Sequence, residues 1–131
     1  MAILAQSGFY VGEKIRSLAN TTPDIYDLYA ILLQCLSLGC EYVVMEVSSQ
    51  GLANHRVETL QFDYAVFTNL TQDHLDFHKT MERYALAKQE LFRMLKPSGK
   101  AIINYDDSYK HYFLLEENEN VPSAYRLEIS K

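Results

Sequence analysis

At 131 residues the chain is long enough for one domain with a hydrophobic core and little more. Hydrophobic residues make up 48% and charged residues 22%, a soluble globular balance, and the net charge of −5 argues against a general nucleic-acid or anionic-membrane binder. Two cysteines, Cys35 and Cys40, are too few for a disulfide framework or a four-ligand zinc site, and no apolar run is long enough to span a bilayer, so reduced thiols in a cytoplasmic protein are the expectation.

The opening stretch, "MAILAQSGFYVGEKIRSLANTTPD", holds two short strand-like pieces, and "FYVGEKIRS" predicts a hairpin turning near Gly12–Glu13. "TTPDIYDLYAILLQCLSLG" predicts a helix. Thr22 is the candidate N-cap, Pro23 suits the first helical position, and Asp24 favours the positive end of the helix dipole. Ile25, Leu28, Tyr29, Leu32, Cys35 and Leu36 recur at helical spacing, and Gly39 can end the helix. "YVVMEVSS" and "FDYAVFTNL" are apolar without alternation and predict strands buried on both faces, as in a parallel sheet. "TMERYALAKQELFRMLKPSG" predicts a second long helix stopped by Pro97 and Gly99, followed by a third buried strand in "KAIINYDD". "SYKHYFLLEEN" predicts a helix and "VPSAYRLEI" a closing edge strand. Strands alternating with helices imply an α/β layered fold with a mostly parallel sheet, wound by right-handed crossovers.

Ligands in open α/β sheets bind outside the carboxyl ends of the strands. Three predicted strands end in polar residues: Glu46, Ser48 and Ser49; Thr68 and Asn69, running into Asp73–His74; and Asn104, Asp106 and Asp107. Parallel strands would line these clusters along one edge as a shared site. Glu46 stands near the end of a predicted buried strand, where an unpaired charge is expensive. It is therefore either a structural or exposed strand-end carboxylate, or a metal-binding or general-base one; Mg²⁺ suits a few carboxylates with phosphate oxygens. Asp73, His74, Asp76 and His78 crowd into six residues but lack a third strong zinc ligand at standard spacing.

Lys88 lies at the centre of the apolar stripe Met81, Tyr84, Ala85, Leu91, Phe92 and Leu95 of its predicted helix, Thr80–Leu95. It either snorkels out of that stripe or presents its amine to a polar site. A neutral lysine amine can react with CO₂ to give a carbamate, an anionic oxygen ligand.

"TTPD", "MEVSSQGLANHRV", "FDYAVFTNLTQDHLDFHKTMERYALAK" and "AIINYDD" together closely resemble the central domain of the Mur ligases, over about Thr21 to Asp107. Several separated motifs fall in family order with compatible spacing. The resemblance implies a P-loop-NTPase-like α/β domain of three layers and an ATP-dependent amide-bond former acting through an acyl phosphate. Within the family the motifs are nearest the branch that adds diaminopimelate or lysine to UDP-N-acetylmuramoyl-L-Ala-D-Glu in peptidoglycan synthesis. By position, Glu46 would hold a Mg²⁺ bridging ATP phosphates, and His74 with Lys88 as a carbamate would serve a second Mg²⁺. Asp73 and Tyr84 would orient the site. Thr21, Thr22, Ser48, Asn54 and Arg56 would bind the UDP-muramoyl-dipeptide, Arg56 by forking onto an anionic group.

The chain departs from the family pattern at Gln50, where many relatives have histidine, and at Asn54, where some have glutamine. No "GxxGKT" occurs, so the phosphate-cradling loop is absent from this sequence. The expectation is a partial central domain over residues 1–131, without the UDP-binding and C-terminal domains of the parent enzyme, inactive alone and prone to self-association. The alternatives are a folylpolyglutamate or cyanophycin synthetase-like ligase fragment, a noncatalytic remnant, or a metal-dependent phosphohydrolase. The last would use Asp73, His74, Asp76 and His78, with only His55 and His111 as further histidines.

Overall fold

A computed structural model describes residues 1–70 and 80–113 in full and 124–127 as backbone. The chain divides into two compact units, Met1–Val57 and Glu58–Lys131.

The first unit carries a four-stranded sheet in the order β3-β2-β1-β4. Strands β1 (Ala2–Ala5), β2 (Gly8–Val11) and β3 (Glu13–Arg16) form an antiparallel meander, and β4 (Val43–Met45) runs parallel to β1. The hairpin at Gly12 is as expected from the sequence. The opening segment nevertheless contributes three strands rather than two, because "AILA" turns back through Gln6–Ser7 to pair with β2.

Helix α1 (Ile25–Ser37) turns Leu28, Ile31 and Cys35 inward. Its N-cap is Asp24, whose side chain accepts from Asp27 N–H, and not Thr22. Thr22 is fully buried and its hydroxyl serves a different junction, described below. Gly39, at φ 73°, ends the helix in the left-handed conformation that glycine adopts without penalty.

β4 is only three residues long, and Val43 and Val44 are 39% and 54% exposed. Two-sided burial therefore fails here. β4 stands at the edge of its sheet, where apolar composition alone does not guarantee a cover on either face. Helix α2 (Ser49–Ala53) follows, N-capped by Ser48.

The second unit carries a parallel sheet in the order β5-β6-β7, from β5 (Phe62–Phe67), β6 (Leu95–Asn104) and β7 (Ala124–Leu127). Helix α3 (Met81–Arg93), N-capped by Thr80, precedes β6. Ala65, Phe67, Tyr84, Ala85, Phe92, Ala101, Ile103 and Phe113 are the heart of one core cluster. Phe113 stacks on Phe67 with ring centroids 3.9 Å apart.

β5 also departs from two-sided burial. Ala65 and Phe67 point into the core while Tyr64 and Val66 are 61% and 52% exposed, so the strand alternates although every residue from Tyr64 to Phe67 is apolar.

Pro97 and Gly99 do not terminate α3, which stops at Met94. They lie in an irregular start to β6, where Phe62 pairs with Leu95 but Tyr64 pairs with Lys100. Proline is accommodated at such irregularities because it donates no ladder hydrogen bond. Glycine suits position 99: a Cβ there would lie 3.0 Å from both Lys96 O and Phe62 O, tight enough that the main chain would have to shift.

In "SYKHYFLLEEN" a turn at Ser108–Tyr109 leads into a single 3₁₀ turn, Lys110–Phe113, instead of the expected helix, and residues 114–118 lie outside the described residues. The closing strand is β7, parallel to β6. Among the described residues no helix is long and apolar enough to cross a membrane.

Candidate substrate and metal site

In the first unit the loop before α1 and the segment after β4 meet at Thr22. Its Oγ1 donates to Glu46 O at 3.2 Å, accepts from Ser48 N–H at 2.9 Å, and lies 3.3 Å from Ser48 Oγ. Ser48 Oγ in turn accepts from Gly51 N–H at 3.0 Å as the cap of α2. Arg56 donates from one terminal guanidinium nitrogen to Thr22 O at 3.1 Å. Three of the expected substrate-binding residues, Thr22, Ser48 and Arg56, are thus tied together by hydrogen bonds.

A buried hydroxyl needs partners, and this one has three polar atoms around it. Gly51 completes the junction. A Cβ at Gly51 would sit 2.8 Å from Thr22 Cβ, so α2 approaches the threonine through a glycine-sized gap. Sequence reasoning did not single out Gly51. The spacing Ser48-x-x-Gly51 at a helix start is the signal that could have found it.

Thr21 is half-buried beside this junction in sequence, and Asn54 is the exposed C-cap of α2. The departure at Gln50 is likewise on an exposed residue. Ser49 is buried, and its hydroxyl has no hydrogen-bond partner among the described residues.

Glu46 follows β4 directly and is exposed, which removes the expected desolvation cost of a buried carboxylate. The reason is the exposed edge position of β4 itself. One carboxylate oxygen accepts from Gln6 N–H at 3.1 Å. Mg²⁺ takes one or two protein carboxylates and fills its remaining positions with phosphate oxygens and water. A single exposed carboxylate therefore fits a Mg²⁺–nucleotide ligand. No group of three or more His, Cys, Asp or Glu side chains is placed to hold a metal among the described residues.

In the second unit β5 and β6 are parallel, and their carboxyl ends meet as expected. The polar side chains there are engaged by backbone. Asn104 donates from Nδ2 to Thr68 O at 2.7 Å and accepts from Asp106 N–H at 3.0 Å. Asp107 accepts from Leu70 N–H at 3.2 Å and from Tyr109 N–H at 2.8 Å. β4, which carries the Glu46 cluster, pairs with β1 in the sheet of the first unit.

Lys88 is half-buried on α3, one turn after Tyr84 and one turn before Phe92, both of which are buried. Its Nζ lies 5.3 Å from the centroid of the Tyr84 ring. Asp73, His74, Asp76 and His78 lie outside the described residues; His55 and His111 are both exposed.

A family model of the Mur ligase middle domain matches residues 2–131. The chain belongs to the Mur ligase middle-domain family. This Mur ligase segment is 52% identical over 101 residues to UDP-N-acetylmuramoyl-L-alanyl-D-glutamate–2,6-diaminopimelate ligase of Fusobacterium nucleatum, covering 77% of the segment and 21% of that protein. It is 50% identical over 99 residues to the ligase of the same name from Caldanaerobacter subterraneus, covering 76% and 20%. A solved structure of a UDP-N-acetylmuramoyl-L-alanyl-D-glutamate–2,6-diaminopimelate ligase matches with a TM-score of 0.80 at 29% identity, over 99% of this chain and 26% of that one. The Mur ligase segment therefore spans about a fifth of the length of the curated relatives it matches.

Proposed function

We propose that this Mur ligase segment is part of the central domain of a cytoplasmic, ATP-dependent ligase. That ligase adds meso-diaminopimelate to UDP-N-acetylmuramoyl-L-Ala-D-Glu in peptidoglycan synthesis, serving cell shape and division. The observation that carries the reading is the 52% identity to a relative named as a diaminopimelate ligase, over 77% of the chain. The junction of Thr22, Ser48 and Arg56 supports it, because three residues proposed to hold the muramoyl-dipeptide are joined in one hydrogen-bonded group.

ATP phosphorylates the substrate's terminal carboxylate, and the amine of the incoming amino acid displaces phosphate from the acyl phosphate. Thr21, Thr22, Ser48, Asn54 and Arg56 hold the muramoyl-dipeptide. Arg56 uses one donor on Thr22 O and keeps the rest of its fork for an anionic group. Glu46 would hold one Mg²⁺, and His74 with Lys88, the latter as a carbamate, would hold a second; such ions would neutralise charge on the phosphate oxygens. Asp73 and Tyr84 orient these ligands, Tyr84 by packing beside the Lys88 amine. Carbamylation makes chemical sense for Lys88 because an ammonium repels a metal ion and a carbamate attracts it.

Two preparations test this. The purified chain with ATP, Mg²⁺, UDP-muramoyl-dipeptide and diaminopimelate is expected to give no tripeptide product, since the sequence has no phosphate-cradling loop. A chimera in which residues 1–131 replace the matching stretch of the Fusobacterium nucleatum ligase is expected to ligate. A folded chimera that binds neither substrate nor ATP overturns the reading. Lys88→Ala in that chimera should nearly abolish ligation with little loss of stability, and bicarbonate or a short carboxylate should restore part of it. Normal ligation by Lys88→Ala would leave Lys88 as a snorkelling side chain.

A further inference from the structure

Helix α1 ends in a Schellman motif. Cys40 N–H donates to Cys35 O at 3.0 Å and Gly39 N–H to Leu36 O at 3.1 Å, with Gly39 in the left-handed conformation. This motif ordinarily brings the side chain two residues beyond the cap against the one three residues inside the helix, usually as an apolar contact. Here the two positions are Cys40 and Cys35. Both are free thiols, Cys35 buried and Cys40 half-buried, and the Cys40 thiol is near enough to help raise the pKa of Cys35.

We infer that Cys35 and Cys40 form a reversible intrachain disulfide when the protein meets a peroxide. The backbone hydrogen bond between the same two residues supplies the close approach of main chains that bridging requires. The accessible Cys40 sulfur attacks the peroxide O–O bond and becomes a sulfenic acid, releasing water. Cys35 sulfur then attacks the Cys40 sulfur, and the sulfenic oxygen leaves as a second water with the Cys35 proton. Two thiols are oxidised and one peroxide is reduced to two waters. Burial, then the neighbouring Cys40, hold the Cys35 thiol above its ordinary pKa, which keeps it protonated and shields it from direct oxidation by the peroxide.

The test is dilute native chain treated with hydrogen peroxide, then assayed for free thiols and by mass spectrometry of the tryptic peptide 17–56. The expected result is loss of both thiols, a peptide two hydrogens lighter, and full reversal by dithiothreitol. Cys40→Ser should show no such loss of hydrogen and should leave Cys35 reduced under the same treatment. Three results would overturn the inference. One is a disulfide that forms only in urea-unfolded chain, another is chain-to-chain disulfides alone, and the third is oxidation of Cys40 to sulfinic acid while Cys35 keeps its thiol.

Discussion

Thr22 carries more structure than any other polar side chain described, because one buried hydroxyl both accepts from Ser48 N–H and donates to Glu46 O. Thr22→Val keeps the shape and removes the hydroxyl, leaving Ser48 N–H without its partner. That should cost about 1–3 kcal/mol, seen as a lower urea midpoint, whereas Thr22→Ser should cost less. An equal cost for both would show that the methyl group and not the hydroxyl matters. Cys35 makes a prediction in pH. Its pKa is raised in the fold, chiefly by burial, so between the unfolded and folded values the native chain holds a proton that the unfolded chain has lost. Its contribution to stability is therefore complete below the ordinary thiol pKa and falls away as pH rises through the folded one. Urea unfolding across the alkaline range should show this decline, and Cys35→Ala should flatten it. At this scale the sequence was legible where a residue type has few uses. Thr22, Ser48 and Arg56 were all named, but the bonds that join them were not: "TTPD" reads as a helix start, and only the fold shows Thr22 turned inward while Asp24 caps.

Among the elements, both long helices were readable because their apolar residues recur over three turns and their ends carry Asp24, Gly39 and Thr80. The strands were readable as strands, yet their burial was not. "YAVF" is apolar on both faces, and Asp63 falls on the same face as the buried Ala65 and Phe67, so nothing in the composition says that Tyr64 and Val66 stay uncovered. Proline and glycine after α3 were similarly ambiguous, since a helix stop and an irregular strand start use the same residues. Gly99→Ala tests the irregular start. The new methyl would meet the carbonyls of Lys96, Phe62 and Asp63, which are main-chain atoms and cannot swing aside. A loss of about 1–3 kcal/mol is expected from overpacking, measured by thermal or urea unfolding. A neutral Gly99→Ala would mean that β6 begins differently.

For the whole molecule, exposed apolar side chains occur in both units: Tyr26, Leu33 and Leu36 on α1, Val44 on β4, and Tyr64 and Val66 on β5. Such surface predicts self-association with rising concentration. Sedimentation velocity should show species larger than the monomer, and a single monomer peak across a wide concentration range would contradict it. The family was legible from separated motifs in order, because a site assembled from distant segments leaves its marks in each of them. Whether those segments share one edge was not legible. Strand order is a property of pairing, and β4 pairs with β1, a strand far earlier in the chain whose partner the sequence does not mark.

The fit of Gly51 against Thr22 has an evolutionary consequence. With only 2.8 Å between a prospective Cβ and the threonine, the two positions cannot vary independently. The nearest clashing atom is the threonine Cβ itself, so a larger residue at 51 is admissible only if position 22 loses its whole side chain, and with it the hydroxyl that Ser48 N–H uses. Selection acting on stability alone would hold the pair together as a single inherited unit. In a library randomised at both sites, survivors should be dominated by the parental combination, with few single steps leading away from it.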